Sequence, residues 1–374
     1  MSNEGVCKRK SNIELLKIVA MVFITMSHCL PVYGGKTYAG WFDENISSID
    51  FNVLLVLFLR HVGQIGNIIF VVCAAWFLVE DNRVKITKVI NILLDGWILS
   101  VVSMLIGMAC GISFTKGQIF RLLLPTINQL NWFVGCYLLL YLVHGLLNVV
   151  INDIDKKRLF LLTASMFSIY GVICTFYAKW FYYTRLLCFI LVYFMVAYMK
   201  KYLKKLSDNK KMNGYILLVS AVAYVGSIIV YLILAAKIGF LDGKAIKFSN
   251  TNNFIMIIMV LAIFNIFRTT EIEHSLFINR IASASLMFYL LTENYVLANY
   301  ARPKMFEWIY IKYGYSILPV WLLIINVITL VTGTALAYLY CSTIGKISFS
   351  VSKVISRKIN NFGDKILARV MEIS

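Results

Sequence analysis

The sequence has 374 residues, of which 60% are hydrophobic and 14% are charged, and its mean hydropathy is +0.78. A soluble protein needs a charged surface, so this composition excludes a soluble globular domain and predicts an integral membrane protein. The formal net charge of +18 is compatible with nucleic-acid binding. The basic residues nevertheless lie mostly between apolar runs, where their main effect is to set membrane topology.

Ten apolar runs follow one another along the chain. A membrane-spanning helix needs about 20 mostly apolar residues, and most of the runs reach that length with their flanks. Lipid offers no partner to open backbone, so we predict an all-α fold, a polytopic bundle of about ten transmembrane helices. The runs are residues 18–29, 53–78, 89–108, 132–151, 159–177, 187–198, 216–236, 254–267, 283–300 and 317–340.

The distribution of charge predicts the orientation of this bundle. If the N-terminus is cytoplasmic, the cytoplasmic segments hold 22 Lys and Arg and the opposite segments hold 10. Cytoplasmic connections carry the excess of positive charge in membrane proteins. We therefore predict a multi-pass protein of the cell membrane with both termini in the cytoplasm, in contact with the lipid bilayer and not with nucleic acid.

Two parts of the chain differ in composition. Residues 1–345 contain all the apolar runs and are predicted to form one transmembrane domain. Residues 346–374 alternate basic with apolar side chains, a pattern typical of an amphipathic helix on the inner leaflet, and are predicted to form a basic cytoplasmic tail. The eight Cys residues are scattered singly, so we expect neither a metal site nor a disulfide framework.

Ionisable side chains within the first apolar run are the clearest candidates for function, because they are costly in a membrane. Glu14, Lys17, Thr25 and His28 fall within about 80° of one another on a helix. Lys17 and His28 are eleven positions apart, on the order of 16 Å along the axis. An ion pair of Glu14 with Lys17 beside a packing histidine, and a functional site, both fit this pattern.

A second candidate lies in the second run. Arg60 and His61 precede Gly63 and Gly66, and we expect the helix to break there because the segment is too long for one upright span. Freed backbone groups and nearby cations could then hold a phosphate-bearing donor. Anchoring at a helix end is the alternative for these two cations.

A third candidate lies in the ninth run. Ser285, Tyr289, Thr292 and Glu293 fall within about 100° of one another if the run is one helix. This face either holds a helix interface together or contacts a substrate.

Four segments resemble the membrane-bound acyltransferase-3 family. Lys17, ten intervening residues and His28 match the basic residue and histidine of that family's first helix, with Lys in place of the commoner Arg. Residues 63–78 (GQIGNIIFVVCAAWFL) and 131–148 (NWFVGCYLLLYLVHGLLN) resemble its second span and its Trp-Phe helix. The stretch from Tyr289 to Glu293 is similar to a late family helix, although Thr292 stands where that helix usually has histidine.

This resemblance implies an enzyme that moves an acyl group, usually acetyl, onto a hydroxyl of a cell-surface or exported carbohydrate. Acetyl-CoA or another acyl-CoA would be the donor, with no bound cofactor and no metal. His28 would be the general base, assisted by Lys17 and Glu14. The residues expected to bind donor or acceptor are Arg60, His61, Trp132, Tyr289 and Glu293.

Two other classes of protein stay open at this point. A polysaccharide polymerase or flippase would favour a large external loop bearing arginines, whereas the connections here are short. A secondary transporter would favour broken helices in two matching halves, and only one break is predicted.

Overall fold

The computed structural model of the chain describes residues 10–29, 51–177, 184–238, 252–314 and 317–373. Within these ranges the chain is almost entirely helical and contains no β-strand. The predicted all-α fold is therefore confirmed.

The first half of the chain contributes part of the candidate site. Its helices are α1 (Ser11–His28), α2 (Phe51–Leu78), α3 (Ile86–Ala109), α4 (Lys116–Leu123), α5 (Trp132–Asp153), α6 (Lys156–Met166), a π-helical turn (Phe167–Ile173) and α7 (Cys174–Tyr177). Of these, α1, α2, α3 and α5 contribute residues to the site.

The second half completes the bundle. Its helices are α8 (Thr184–Tyr202), α9 (Lys204–Ser207), α10 (Lys210–Ile238), α11 (Phe254–Thr269), α12 (Leu276–Ser283), α13 (Ser285–Thr292), a π-helical turn (Leu297–Ala301), α14 (Arg302–Tyr313), α15 (Leu318–Ser342) and α16 (Ile344–Ile373).

Six helical segments in the described ranges are long and apolar enough to cross a membrane, and α11 is apolar but shorter. The chain is therefore a multi-pass membrane protein, while the number of ten spans and the orientation of the termini stay predictions. The six segments are His61–Leu78, Ile86–Ala109, Trp132–Asp153, Lys156–Phe176, Lys210–Val230 and Pro319–Ser342.

Polar side chains tie the helices together at one end of the bundle, formed by residues 79–85, 154–155 and 203–209, which we call the basic end. Asn148 donates to the carbonyl of Leu78 at 2.9 Å, and Lys200 donates to the carbonyl of Trp76 at 2.7 Å. These bonds satisfy carbonyl groups at the end of α2 that lack partners within the helix. They fix α5 and α8 against α2.

Helix α2 is continuous from Phe51 to Leu78, so the break predicted between Arg60 and Gly66 is wrong. The two glycines allow a close approach of α1 instead. A Cβ atom at Gly63 would lie 2.4 Å from Cβ of Ser27, and one at Gly66 would lie 2.6 Å from the carbonyl oxygen of Ala20. Small residues serve this purpose in membrane helix pairs, where packing replaces the hydrophobic effect as the driving force.

The break lies in the ninth span, where one continuous helix was expected. Helix α13 ends at Thr292, and the chain becomes helical again at Tyr295. Asn294 caps the new start, since its side-chain oxygen accepts from the backbone N–H of Leu297 at 3.0 Å. A broken helix at membrane depth must have its freed backbone groups satisfied by protein. Glu293 lies at this break.

The C-terminal helix α16 starts within the bundle and packs against α3. A row of buried serines makes the contact, with Ser348 and Ser352 near the side-chain oxygen of Asn91 at 3.4 and 3.5 Å. Ser356 reaches the hydroxyl of Thr87 at 2.7 Å. The helix is continuous across the predicted boundary at residue 345, and the division into domain and tail stays a prediction.

The close contact of α1 with α2 yields a stability prediction. Replacing Gly66 with Ala puts a methyl group against the backbone of Ala20 and should destabilise the protein by about 1–3 kcal/mol, the usual cost of overpacking. Gly226→Ala in α10 is the matched control, because no atom lies within 4 Å of its Cβ position. Thermal unfolding of the detergent-solubilised variants should show a lower Tm for Gly66→Ala alone. Equal Tm values would contradict the packing described.

Candidate active site

His28 and Glu293 meet where α1 and α13 end. Nδ1 of His28 lies 2.9 Å from Oε2 of Glu293, and 22% and 10% of the two side chains are exposed. The two atoms are close enough for an ion pair, but the nitrogen is not well aligned for a hydrogen bond to this oxygen. Such alignment often improves only when substrate binds. A histidine held by a carboxylate at one nitrogen can act as a base with the other.

Arg302 is the second partner of Glu293. Its guanidinium donates to both carboxylate oxygens, at 3.1 and 2.8 Å, and also to the carbonyl of Thr292. Only 11% of the Arg302 side chain is exposed. A two-point contact of this kind is strong and fixes the plane of the carboxylate. Arg302 thus neutralises Glu293 and satisfies a carbonyl group freed by the helix break.

Glu14 and Lys17 form a separate ion pair nearer the basic end. Nζ of Lys17 lies 2.7 Å from Oε1 of Glu14, and the Glu14 side chain is buried. Thr25, on the same side of α1, is also buried and donates to the carbonyl of Met21 at 2.8 Å. All four predicted residues of the first span therefore face the bundle. Lys17 nevertheless makes no contact with His28.

A cavity of about 290 Å³ lies between α1, α2, α3, α5 and α13. Lys17 and Lys88 are the cations in its lining, and Lys88 donates to the hydroxyl of Tyr137 at 2.7 Å. His28 and Glu293 are not in the lining. They lie one helical turn beyond it, because the backbone N–H of Glu293 bonds to the carbonyl of Tyr289, which does line the cavity. The remaining lining residues are Phe70, Cys73, Ala74, Phe77, Leu78, Ile92, Phe133, Ser285 and Leu286.

The model of a family described as an acyltransferase domain matches residues 10–345, most of the chain. The chain belongs to the acyltransferase-3 family. Family membership makes this protein a membrane acyltransferase. No curated protein and no solved structure matches the chain at a significant level.

In this acyltransferase, the remaining predicted site residues lie apart from one another. His61 is fully buried within the bundle and does not line the cavity. Arg60 belongs to the same continuous helix, and its side chain lies outside the described part of the structure. The freed backbone that was expected to hold a donor beside these two residues is absent from α2, so this part of the prediction is wrong.

Trp132 and Tyr289 lie on different sides of Phe133. The ring of Trp132 lies under the guanidinium of Arg185 at 4.4 Å and lines a different hollow, between α3, α5 and α8. Tyr289 faces the cavity that contains Lys17. Of these two predicted binding residues, the structure brings Tyr289 alone to that cavity.

Sequence reasoning missed Arg302 and Lys88. Arg302 lies between the ninth and tenth apolar runs, in a stretch that forms helix α14 and the turn before it. It is nine positions from Glu293, a spacing that places two residues on opposite sides of a regular helix. Lys88 stands directly before the third apolar run. The sequence does not mark Lys88 as a cavity residue, because a lysine at a helix start near the membrane surface is common.

The pairing of Arg302 with Glu293 yields a second prediction. Arg302→Ala leaves a buried carboxylate without its main cation and should destabilise the protein by about 3–5 kcal/mol. Adding Glu293→Gln should recover part of this loss, because the uncompensated charge is removed. The measurement is thermal unfolding in detergent.

Arg83→Ala is the control for this comparison. Arg83 forms a surface pair with Asp81 at 3.3 Å and 84% of its side chain is exposed, so its loss should change little. An Arg302→Ala variant as stable as the Arg83→Ala variant would show that the buried pair does not hold the break together.

Proposed function

We propose that this acyltransferase moves an acetyl group from acetyl-CoA to a hydroxyl of a cell-surface or exported carbohydrate. The observation that carries the proposal is the position of His28, Glu293 and Arg302 one helical turn beyond a cavity whose lining includes two lysines. In this arrangement the donor would enter the cavity from the basic end, and the acceptor would reach His28 from the opposite end of the bundle.

The donor would enter from the basic end. Coenzyme A carries phosphate groups, and Lys17 and Lys88 would attract them at the mouth of the cavity. Lys88 is exposed and lies over the ring of Tyr141 at 4.3 Å, which fixes its position. The apolar walls would then hold the uncharged arm that carries the thioester.

His28 would act as the general base. Its free nitrogen would take the proton of the acceptor hydroxyl as the hydroxyl oxygen attacks the thioester carbonyl. The tetrahedral intermediate would then break its carbon–sulfur bond, and the thiolate of coenzyme A would take the proton from His28. Glu293 stabilises the positive charge that the imidazole carries between these two proton transfers.

Backbone groups at the helix break would assist the developing oxyanion. The chain becomes helical again at Tyr295, two residues after Glu293. The N–H of Leu297 is bound by Asn294, but those of Tyr295 and Val296 have no acceptor within the helix, and such groups favour negative charge. Donors placed in this way stabilise the oxyanion of an acyl transfer.

The direct test is His28→Ala. Loss of a general base costs about 10²–10⁴ in rate, whereas loss of a packing contact costs mainly stability. Membrane vesicles of the expressing cells would be supplied with radiolabelled acetyl-CoA, and base-labile label would be counted in the carbohydrate fraction per amount of folded protein. His274→Ala is the control, because this histidine lies at the basic end and bonds only to Asn279 among the contacts described. Full transfer by His28→Ala would overturn the assignment of the base.

A further inference from the structure

The lining of the cavity separates into two layers. Helices α3 and α5 run antiparallel, because Lys88 meets Tyr137 and the backbone N–H of Lys85 meets the hydroxyl of Tyr141. Ile92 and Phe133, each four residues further from the basic end, therefore lie at one level. Lys88 and Tyr137 thus lie in an outer layer at the basic end, and Ile92 and Phe133 lie in an inner layer one turn further in.

Three rings close the inner layer. The ring centroid of Phe133 lies 5.6 Å from that of Tyr289 and 6.2 Å from that of Phe70. Behind Phe133, the ring of Phe189 lies 5.5 Å away and is fully buried. Edge and tilted contacts between rings at these distances are favourable, and side chains in a packed interior have little room to move. We call Phe70, Phe133 and Tyr289 the ring layer.

The ring layer lies between the cavity and the pair of His28 and Glu293. Glu293 follows Tyr289 by one turn of helix, about 6 Å along the axis, and Glu293 holds His28. A thioester that enters from the cavity therefore reaches His28 only by passing the ring layer. The alkyl part of the acyl group must find its space among the same three rings.

We propose that the ring layer restricts the donor to short acyl groups, acetyl or propionyl, and that Phe133 is the residue that sets this limit. The proposal rests on the acyl-CoA donor proposed above. Phe133 is the only ring of the three that contacts both others and has a further ring behind it among the described contacts. A longer chain would need the space that Phe133 occupies.

The test is a competition between donors. Vesicles carrying wild-type protein or Phe133→Leu would receive an equimolar mixture of acetyl-, propionyl-, butyryl- and hexanoyl-CoA, and mass spectrometry would count the acyl esters formed on carbohydrate. A pocket discriminates one methylene by about 10–200-fold. We expect the wild type to prefer acetyl over butyryl by at least about 10-fold, and Phe133→Leu to reduce that preference by a similar factor.

The ratio between donors within one variant is independent of how much protein folds, so a folding defect cannot imitate the expected result. Phe167→Leu is the matched control, because Phe167 lines a separate apolar cavity, between α6, α8, α10 and α11, and should keep the wild-type ratio. If no acyl group is transferred from any of the four acyl-CoA compounds, the proposed donor is wrong. Transfer of acetyl with an unchanged ratio in Phe133→Leu would refute the role of Phe133 and leave the proposed function standing.

Discussion

The structure depends on keeping one carboxylate charged inside the bundle. Glu293 is nine-tenths buried, and the effective cost of burying an isolated charge is several kcal/mol. Arg302 neutralises this carboxylate and His28 contacts it from a different helix, so α1, α13 and α14 must converge at one point. The break after Thr292 makes this possible, because it lets the chain turn and bring Arg302 back onto Glu293. The same compensation positions the histidine, so the stability of this region and its chemistry have a common origin.

The cavity and the histidine are separated by a single helical turn, and this separation suits a two-substrate reaction. Lys88 and Tyr137 line the part of the cavity at the basic end, whereas rings line its inner part. Charged and uncharged portions of one donor molecule would match these two parts. The rings separate the cavity from His28, which retains some exposure on the other side.

Periodicity within one helix was enough to predict the side of α1 that faces the bundle, because Glu14, Thr25 and His28 lie at helical spacing. The partner of His28 could not be predicted in this way, since it comes from the far end of the sequence and depends on tertiary packing. The position of the helix break was predicted wrongly for a physical reason. Gly63 weakens a helix in water, but in a membrane helix it permits the close approach of Ser27. The real break, at Asn294, contains neither Gly nor Pro and is specified by capping and by Arg302.

The measurement that tests this account most directly is a double-mutant cycle on activity. His28→Gln, Glu293→Gln and the double variant would be compared with the wild type for acetyl transfer per amount of folded protein. If Glu293 acts through His28, the double variant should be no slower than His28→Gln alone, because a residue that positions a base has no effect once the base is gone. Losses that multiply in the double variant would show that the two side chains act independently, and would contradict the account.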